Sequence, residues 1–188
     1  MTIRGNLQRR PFLAPIGLLA LTAAVGGLIL IAVAWWLITS TSTTVIVVRH
    51  APQILGGSGD DPALSAEGEA RAAALARTLG DTRLKSRIAA IYVSPTLRSR
   101  ATAAPLAQSL GITSETVSQD DPRTLVHRVM HEHSGDTVLI VAHANTLPAI
   151  VSALSGEDIP EVQPSDYSTL YVITVPRIGR AGVLLLKY

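Results

Sequence analysis

The sequence predicts an α/β domain with a mostly parallel central sheet flanked by helices, preceded by one N-terminal transmembrane helix. Three observations lead to this fold class. The 188 residues contain one long uncharged segment near the N-terminus. Three short apolar runs further along lack polar alternation, which is typical of strands buried on both faces. Segments with helical periodicity separate these runs, and strands that alternate with helices favour a parallel sheet.

The uncharged segment covers residues 12–38 and is longer than the roughly 20 apolar residues that a bilayer span requires. Arg4, Arg9 and Arg10 precede it, and no further basic residue occurs before Arg49. The positive-inside rule therefore places the N-terminus in the cytoplasm and the remainder of the chain outside it.

We accordingly predict a cytoplasmic basic arm at residues 1–11, a signal-anchor helix at 12–38 and a linker at 39–43. An extracytoplasmic domain would then occupy residues 44–188. The alternative is a cleaved signal peptide, because Ala32-Val33-Ala34 resembles a cleavage site. Cleavage would release a secreted or periplasmic domain.

Within the domain, we predict each strand and helix from its local hydrophobic pattern and from the residues that terminate it. The three apolar runs predict strands at 45–48, 89–93 and 137–141. Helical spacing, with glycines at several ends, predicts helices over 65–79, 96–110, 122–133 and 146–154. Two further β-rich segments around a turn predict an antiparallel hairpin at the sheet edge, over 169–175 and 182–188.

Composition excludes several classes of function. The absence of cysteine excludes disulfides, thiolate catalysis and cysteine-ligated metals. Beyond the basic arm, the sequence contains 13 basic and 14 acidic side chains, so the domain is nearly neutral. No nucleic-acid partner is therefore expected. No pattern in the sequence implies a metal or an organic cofactor.

Charged and polar residues follow each apolar run directly. Arg49-His50 follows the first run, Ser94-Pro95-Thr96-Leu97-Arg98 the second, and His143-Ala144-Asn145-Thr146 the third. Ligands of open α/β sheets bind at the carboxyl ends of the strands, so these residues are expected to meet there. Two guanidinium groups beside a helix N-terminus suit a phosphoryl group, and a neutral imidazole among them can attack phosphorus.

The same segments resemble the motifs of the histidine phosphatase superfamily, which has the phosphoglycerate-mutase-like fold. VIVVRHA resembles the first strand with its Arg-His pair, and DPALSAEGEARAAALA resembles the start of the first helix. IYVSPTLRSRATAAPLA places Arg98 and Thr102 in register, and VLIVAHANTLPAIV contains His143 as the second histidine. The resemblance covers residues 44–154. The short site is more similar to the small, lidless phosphohistidine phosphatases than to the mutases.

The resemblance implies a role for each matched residue. His50 would be the nucleophile that becomes phosphohistidine, while Arg49, Arg98 and His143 would hold the phosphoryl oxygens. Nearby arginines are expected to lower the pKa of His50 and to keep its attacking nitrogen free. The implied activity is that of a membrane-anchored extracytoplasmic phosphatase acting on a phosphomonoester or phosphoramidate. Its partner would be a small phosphorylated substrate or a phosphohistidine protein.

Two departures from the family pattern leave alternatives open. Pro52 stands where many members have a glutamate, and no long insertion supplies an acidic proton donor. Asp121 and Glu115 are the candidate donors, although Asp121 is also placed to start a helix. Asn145 and Thr146 are candidate substrate-binding donors, with a helix-capping role as the alternative for Thr146. A non-catalytic phosphate- or partner-binding domain on the same scaffold is the alternative function.

Overall fold

Residues 14–39, 42–55, 61–80 and 88–188 are described by a computed structural model. The chain divides into two units, Met1–Ser40 and Thr41–Tyr188. The basic arm with Arg4, Arg9 and Arg10 lies outside the described residues, so the structure does not bear on its predicted role.

The apolar N-terminal segment forms one helix, α1 (Ala14–Thr39). Large apolar side chains are exposed along it, including Leu21, Leu28, Ile31 and Trp35. In the described part of the chain, however, no helix qualifies by length and hydropathy as one that could cross a membrane. The structure therefore does not support the predicted membrane span over 12–38, whose first two residues lie outside the described chain.

The second unit is an α/β domain built on a mixed, six-stranded sheet of order β3-β2-β4-β1-β5-β6. The pairs β1–β4, β2–β4 and β2–β3 are parallel, whereas β5 pairs antiparallel with both β1 and β6. The strands are β1 (Thr43–Arg49), β2 (Ile88–Val93), β3 (Glu115–Thr116), β4 (Thr137–Ala142), β5 (Thr169–Val175) and β6 (Gly182–Lys187).

Four helices cover the two faces of this sheet, namely α2 (Ala66–Leu79), α3 (Leu97–Leu110), α4 (Pro122–Glu132) and α5 (Leu147–Ser155). Val45 and Val47 of β1 pack in the cluster that α4 and α5 cover. Ile46 and Val48 pack in the cluster that α2 and α3 cover. Successive side chains of a strand point to opposite faces, so two covered faces explain why the β1 sequence is apolar without alternation.

The start of α2 shows why a glycine stands in its first turn. Ser65 caps this helix by accepting a hydrogen bond from Gly68 N, and Ser65 N donates to Pro52 O. A Cβ at Gly68 would collide with that same carbonyl oxygen. Gly68 therefore allows α2 to approach the loop that follows β1, an approach that helix propensity alone would not predict.

The predicted strands, helices and C-terminal hairpin occur in the predicted order, with ends that shift by one or two residues. The additional strand is β3, which pairs with Tyr92 and Val93 at the sheet edge. A strand of two residues is too short to leave a periodic pattern in the sequence.

Candidate active site

The carboxyl ends of β1 and β4 bring the two predicted histidines together. These strands are parallel neighbours, and Arg49 lies opposite Ala142 in the register. His50 and His143 therefore leave the sheet side by side, with ring centroids 5.2 Å apart. Helix α3 follows β2 at the same edge and contributes Arg98, whose charge acts on both histidines.

One hydrogen bond determines which nitrogen of His50 can react. Its Nδ1 lies 2.8 Å from Ala51 O, and the ring is buried, with 6% of the residue exposed. A carbonyl oxygen accepts hydrogen bonds and cannot donate them, so Nδ1 carries the proton. The lone pair is then on Nε2, the nitrogen that is free to attack an electrophile.

The surroundings of His50 keep it neutral. Burial is the main cause that lowers its pKa to about 4, and the charges of His143, Arg98 and Arg49 lower it further. The hydrogen bond to Ala51 O acts in the opposite direction. Above that pH the imidazole is uncharged, as a nucleophile requires.

Thr102 links the segment of His50 to α3. Ala51 N donates to Thr102 Oγ1 over 2.9 Å, and Thr102 Oγ1 donates to Arg98 O over 2.7 Å. Thr102 is fully buried. The same residue therefore fixes the backbone that orients the His50 ring and the helical turn that carries Arg98.

His143 is held by a hydroxyl of the loop after β2. Its Nε2 lies 2.8 Å from Ser94 Oγ, which in turn lies 2.9 Å from Thr96 Oγ1. Burial lowers the pKa of His143, and the charges of Arg98 and Arg49 lower it further. At neutral pH this ring is therefore uncharged unless an anion binds beside it.

Arg49 is fastened by neutral groups of the loop before β5. Its Nη1 donates to Pro164 O at 2.8 Å and to Gln163 O at 3.2 Å, and its Nη2 donates to Tyr167 Oη at 3.1 Å. The guanidinium also lies over the Tyr167 ring, 3.9 Å from its centroid. None of these partners carries a compensating negative charge, and Arg49 Nε is buried without a partner among the described residues.

Arg98 is held more loosely. Its Nη1 lies 3.5 Å from Asp61 Oδ1, while Asp61 Oδ2 accepts a 2.7 Å hydrogen bond from Leu97 N at the start of α3. Its Nε is also buried and lacks a partner in the part of the chain that the structure describes. A buried donor without an acceptor is costly, and two cationic donors at one strand edge suit an oxyanion such as a phosphoryl group.

The two candidate proton donors are engaged elsewhere. Asp121 caps α4 by accepting hydrogen bonds from Arg123 N, Thr124 N and the Thr124 hydroxyl. These bonds keep the pKa of the Asp121 carboxyl below its usual value, which makes it a poorer proton donor. Glu115 forms an ion pair with Arg128 at 2.7 Å. The described contacts place neither carboxylate beside His50.

The remaining predicted residues are Thr146, which supports the segment of His143, and Asn145, which is an exposed surface residue. Thr146 Oγ1 accepts from His143 N at 3.2 Å, so Thr146 supports the turn that presents this histidine. Thr146 stands at the N-cap of α5 but makes no side-chain capping bond there. Asn145 is exposed and lines a separate surface cavity with Glu161 and Val162.

Three residues of the site were not predicted as functional. Tyr167 holds Arg49 and lies edge-on to His50, with ring centroids 6.0 Å apart. Ser94 holds His143, and Asp61 joins Arg98 to the start of α3. The position of Ser94 at a strand end was a usable signal. Tyr167 is an aromatic residue in a polar loop of a chain with few aromatics, whereas Asp61 left no local signal.

Comparison with known proteins agrees with this geometry. The model of the histidine phosphatase superfamily (branch 1) matches residues 45–121. No curated protein sequence matches the chain. Among solved structures, the protein histidine phosphatase SixA complexed with tungstate is 19% identical, with a TM-score of 0.64. That similarity covers 77% of this chain and 96% of the SixA chain.

Two further structures show the same fold. A putative phosphohistidine phosphatase SixA from Agrobacterium tumefaciens is 20% identical, with a TM-score of 0.59 and coverage of 77% of this chain and 98% of that one. A mycobacterial glucosyl-3-phosphoglycerate phosphatase is 15% identical, with a TM-score of 0.62. The similarity covers 78% of this chain and 99% of that one. The match over residues 45–121 supports the histidine phosphatase superfamily, and the solved structures show that the domain has the same fold.

Proposed function

We propose that the protein hydrolyses a phosphomonoester or phosphoramidate through a phosphohistidine on Nε2 of His50. The observation that carries this proposal is the state of His50. Its Nδ1 proton is bound to Ala51 O, and its free Nε2 lies in a cluster with two arginines that each keep one unpaired buried donor. This arrangement supplies a neutral nucleophile and cationic donors for the phosphoryl oxygens, with a single 3.5 Å carboxylate contact among the described residues, from Asp61 to Arg98.

In the first step, the Nε2 lone pair attacks phosphorus and the bond from phosphorus to the leaving group breaks. The electron pair of that bond goes to the leaving group. The imidazole ring becomes positively charged as the Nε2–P bond forms, and Ala51 O stabilises it through the Nδ1 proton. Arg49, Arg98 and His143 bind the phosphoryl oxygens during the transfer.

In the second step, water attacks the phosphohistidine, the Nε2–P bond breaks and its electron pair returns to Nε2. The products are inorganic phosphate and neutral His50, and the proton that the water loses passes to the solvent. Because Asp121 and Glu115 are engaged elsewhere, we propose that the substrate has a leaving group that departs without a strong protein acid. Phosphates of acidic alcohols meet this condition, and phosphoramidates meet it once their leaving nitrogen has taken a proton from the solvent.

The test is to incubate the full chain with a chromogenic aryl phosphate between pH 4 and 8, beside His50→Ala. Rapid quenching should trap an acid-labile phosphoenzyme in the parent protein, and phosphorus NMR should identify it as N-linked. The variant should show neither turnover nor this intermediate. Hydrolysis that is unchanged in His50→Ala would contradict the proposal.

A non-catalytic phosphate-binding domain is the second candidate function. The engagement of both predicted proton donors, and of both Nη atoms of Arg49, favours it. Binding of tungstate or phosphate to the full chain, measured by calorimetry, without turnover of an aryl phosphate or a phosphoramidate would support this candidate. Turnover would exclude it.

For location, we propose a domain outside the cytoplasm with the N-terminus inside. The support is the sequence alone, in which Arg4, Arg9 and Arg10 precede an uncharged segment. Protease added to intact cells should remove a C-terminal epitope tag, and the full chain should resist carbonate extraction from membranes. Extraction by carbonate, or protection of the tag, would contradict this location.

A further inference from the structure

A cavity of about 590 Å³ opens beside the candidate active site. Three segments line it, namely residues 52–55 after β1, residues 65–67 at the start of α2, and Ser165 with Tyr167 before β5. None of these segments supplies a residue that was assigned to the phosphoryl group. The cavity is therefore additional to the cluster of His50, Arg49, Arg98 and His143.

The position of the cavity relates it to the nucleophile. Its lining begins at Pro52, two residues after His50. Tyr167 forms another part of its lining while its ring lies edge-on to His50 and its hydroxyl accepts from Arg49. A phosphoryl group bound at His50 would thus have this cavity next to it, where the remainder of the substrate can lie.

The lining has an unusual balance of charge for a phosphate-handling protein. Glu67 is its one charged side chain among the described residues, and no lysine or arginine of the described chain lines it. Glu67 lies 3.2 Å from Arg71 but remains largely exposed. Arg71, the cation paired with Glu67, does not line the cavity, so a leaving group with its own carboxylate or a second phosphate would meet Glu67 without a cation in the lining.

The other lining residues indicate what the cavity accepts. Ile54 and Leu55 are exposed apolar side chains, with 48% and 89% of their surface accessible. The side-chain oxygen of Gln53 is buried and has no partner among the described residues. An apolar body would cover the first two residues, and a hydroxyl or N–H donor would reach the Gln53 oxygen once this side chain rotates into the cavity.

We infer that this cavity binds the leaving group and that the substrate is a small monophosphate whose leaving group is uncharged or cationic. The leaving group would carry an apolar body and one hydrogen-bond donor directed at Gln53. This inference rests on the proposed phosphatase function. It narrows that function by excluding monophosphates with a second anionic group.

The test uses three aryl phosphates with the full chain, namely phenyl, 4-carboxyphenyl and 4-(aminomethyl)phenyl phosphate. We expect kcat/KM for the carboxylated substrate to be about tenfold below that for the uncharged one. Glu67→Lys should remove most of that discrimination. The matched control is Glu69→Lys, because Glu69 lies in the same first turn of α2 and does not line the cavity.

A second variant tests the polar contact without changing charge. Gln53→Leu should lower kcat/KM for the aminomethyl substrate more than for phenyl phosphate, while the melting temperature reports whether the fold is retained. Equal hydrolysis of all three substrates, with no effect of Glu67→Lys, would overturn the inference and leave the phosphatase function intact. Hydrolysis of none of them would overturn the inference, and absence of phosphoramidate turnover as well would overturn the proposed function.

Discussion

The strand-end cluster of His50, Arg49, Arg98 and His143 differs from a second polar cluster in how its charges are paired. The second cluster, which we call the α4 cluster, consists of Tyr92, Glu115, Arg128, Glu132 and His133. Arg128 Nη2 lies 2.7 Å from Glu115, and its Nε lies 3.1 Å from Glu132. The Tyr92 hydroxyl contacts Glu132 at 3.2 Å and His133 at 3.0 Å.

The two clusters differ in how closely carboxylates approach their arginines. Arg128 has carboxylates at 2.7 and 3.1 Å, whereas Arg49 is held by carbonyl and hydroxyl groups and Arg98 has one carboxylate contact within the described chain, to Asp61 at 3.5 Å. In both clusters burial is the main cause of the pKa shift and favours the neutral form. It raises the pKa of Tyr92 to about 12 and lowers that of His50 to about 4.

Removal of the nucleophile should give the largest effect. His50→Ala should reduce kcat for an aryl phosphate by at least about 10³-fold, because no other group can form the phosphoenzyme. His127→Ala is the control, since this histidine is exposed on α4 and stacks only on His131. Comparable losses in both variants, measured in the same steady-state assay, would contradict the assignment.

Replacement of one arginine in each cluster should separate binding from stability. Arg98→Lys removes the planar guanidinium, including its unpaired Nε, and should lower kcat/KM by about 10²-fold. Arg128→Lys should leave kcat/KM within about twofold and lower only the melting temperature, because its ion pairs lie outside the site. A loss of activity in Arg128→Lys would show that the two clusters are coupled.

Removal of the Ser94 hydroxyl, which contacts His143, should have a smaller effect on kcat. Ser94→Ala removes the 2.8 Å contact to His143 Nε2 and should lower kcat about tenfold, with little change in KM. The pH profile should change as well, because the ring loses a hydrogen-bond partner that positions it. Ser109→Ala is the matched control on α3, where the hydroxyl bonds to Leu106 O. If the pH profile of Ser94→Ala is the same as that of the parent protein, Ser94 has only a structural role.

The smallest expected effect is on the pH dependence of activity and stability, and it follows from the lowered pKa of His50. The acid limb of kcat/KM should have its midpoint near pH 4, so activity should persist at pH 5, where an ordinary histidine is mostly protonated. Between pH 4 and 6.5 the unfolded chain binds more protons at this residue than the folded one, so stability should fall as pH falls. His50→Ala should show a weaker fall in melting temperature, and an acid limb near 6.5 would contradict the burial of the ring.

The sequence predicted the four central site residues from their places near strand ends: three stand at the ends of β1 and β4, and Arg98 lies in the first turn of α3, after β2. His50 follows the apolar run of β1, and His143 follows that of β4. The parallel order of these strands then places both residues at one edge. The proton-donor candidates were less predictable, because the partners of Asp121 and Glu115 depend on helix α4, and the sequence does not show where its side chains reach.

The tertiary structure also decided which groups are left without partners. Arg49 meets Pro164 and Tyr167, which lie more than 100 positions away in the sequence, as the separations of 115 and 118 show. Such long-range contacts have no local pattern, and they determine which guanidinium atoms remain free. The sequence by itself determined the strands, the helices and the four residues at their ends, because hydrophobic periodicity is a local property. Only the tertiary structure decided the pairing of the charges and the cavity beside His50, because both depend on segments that meet through folding.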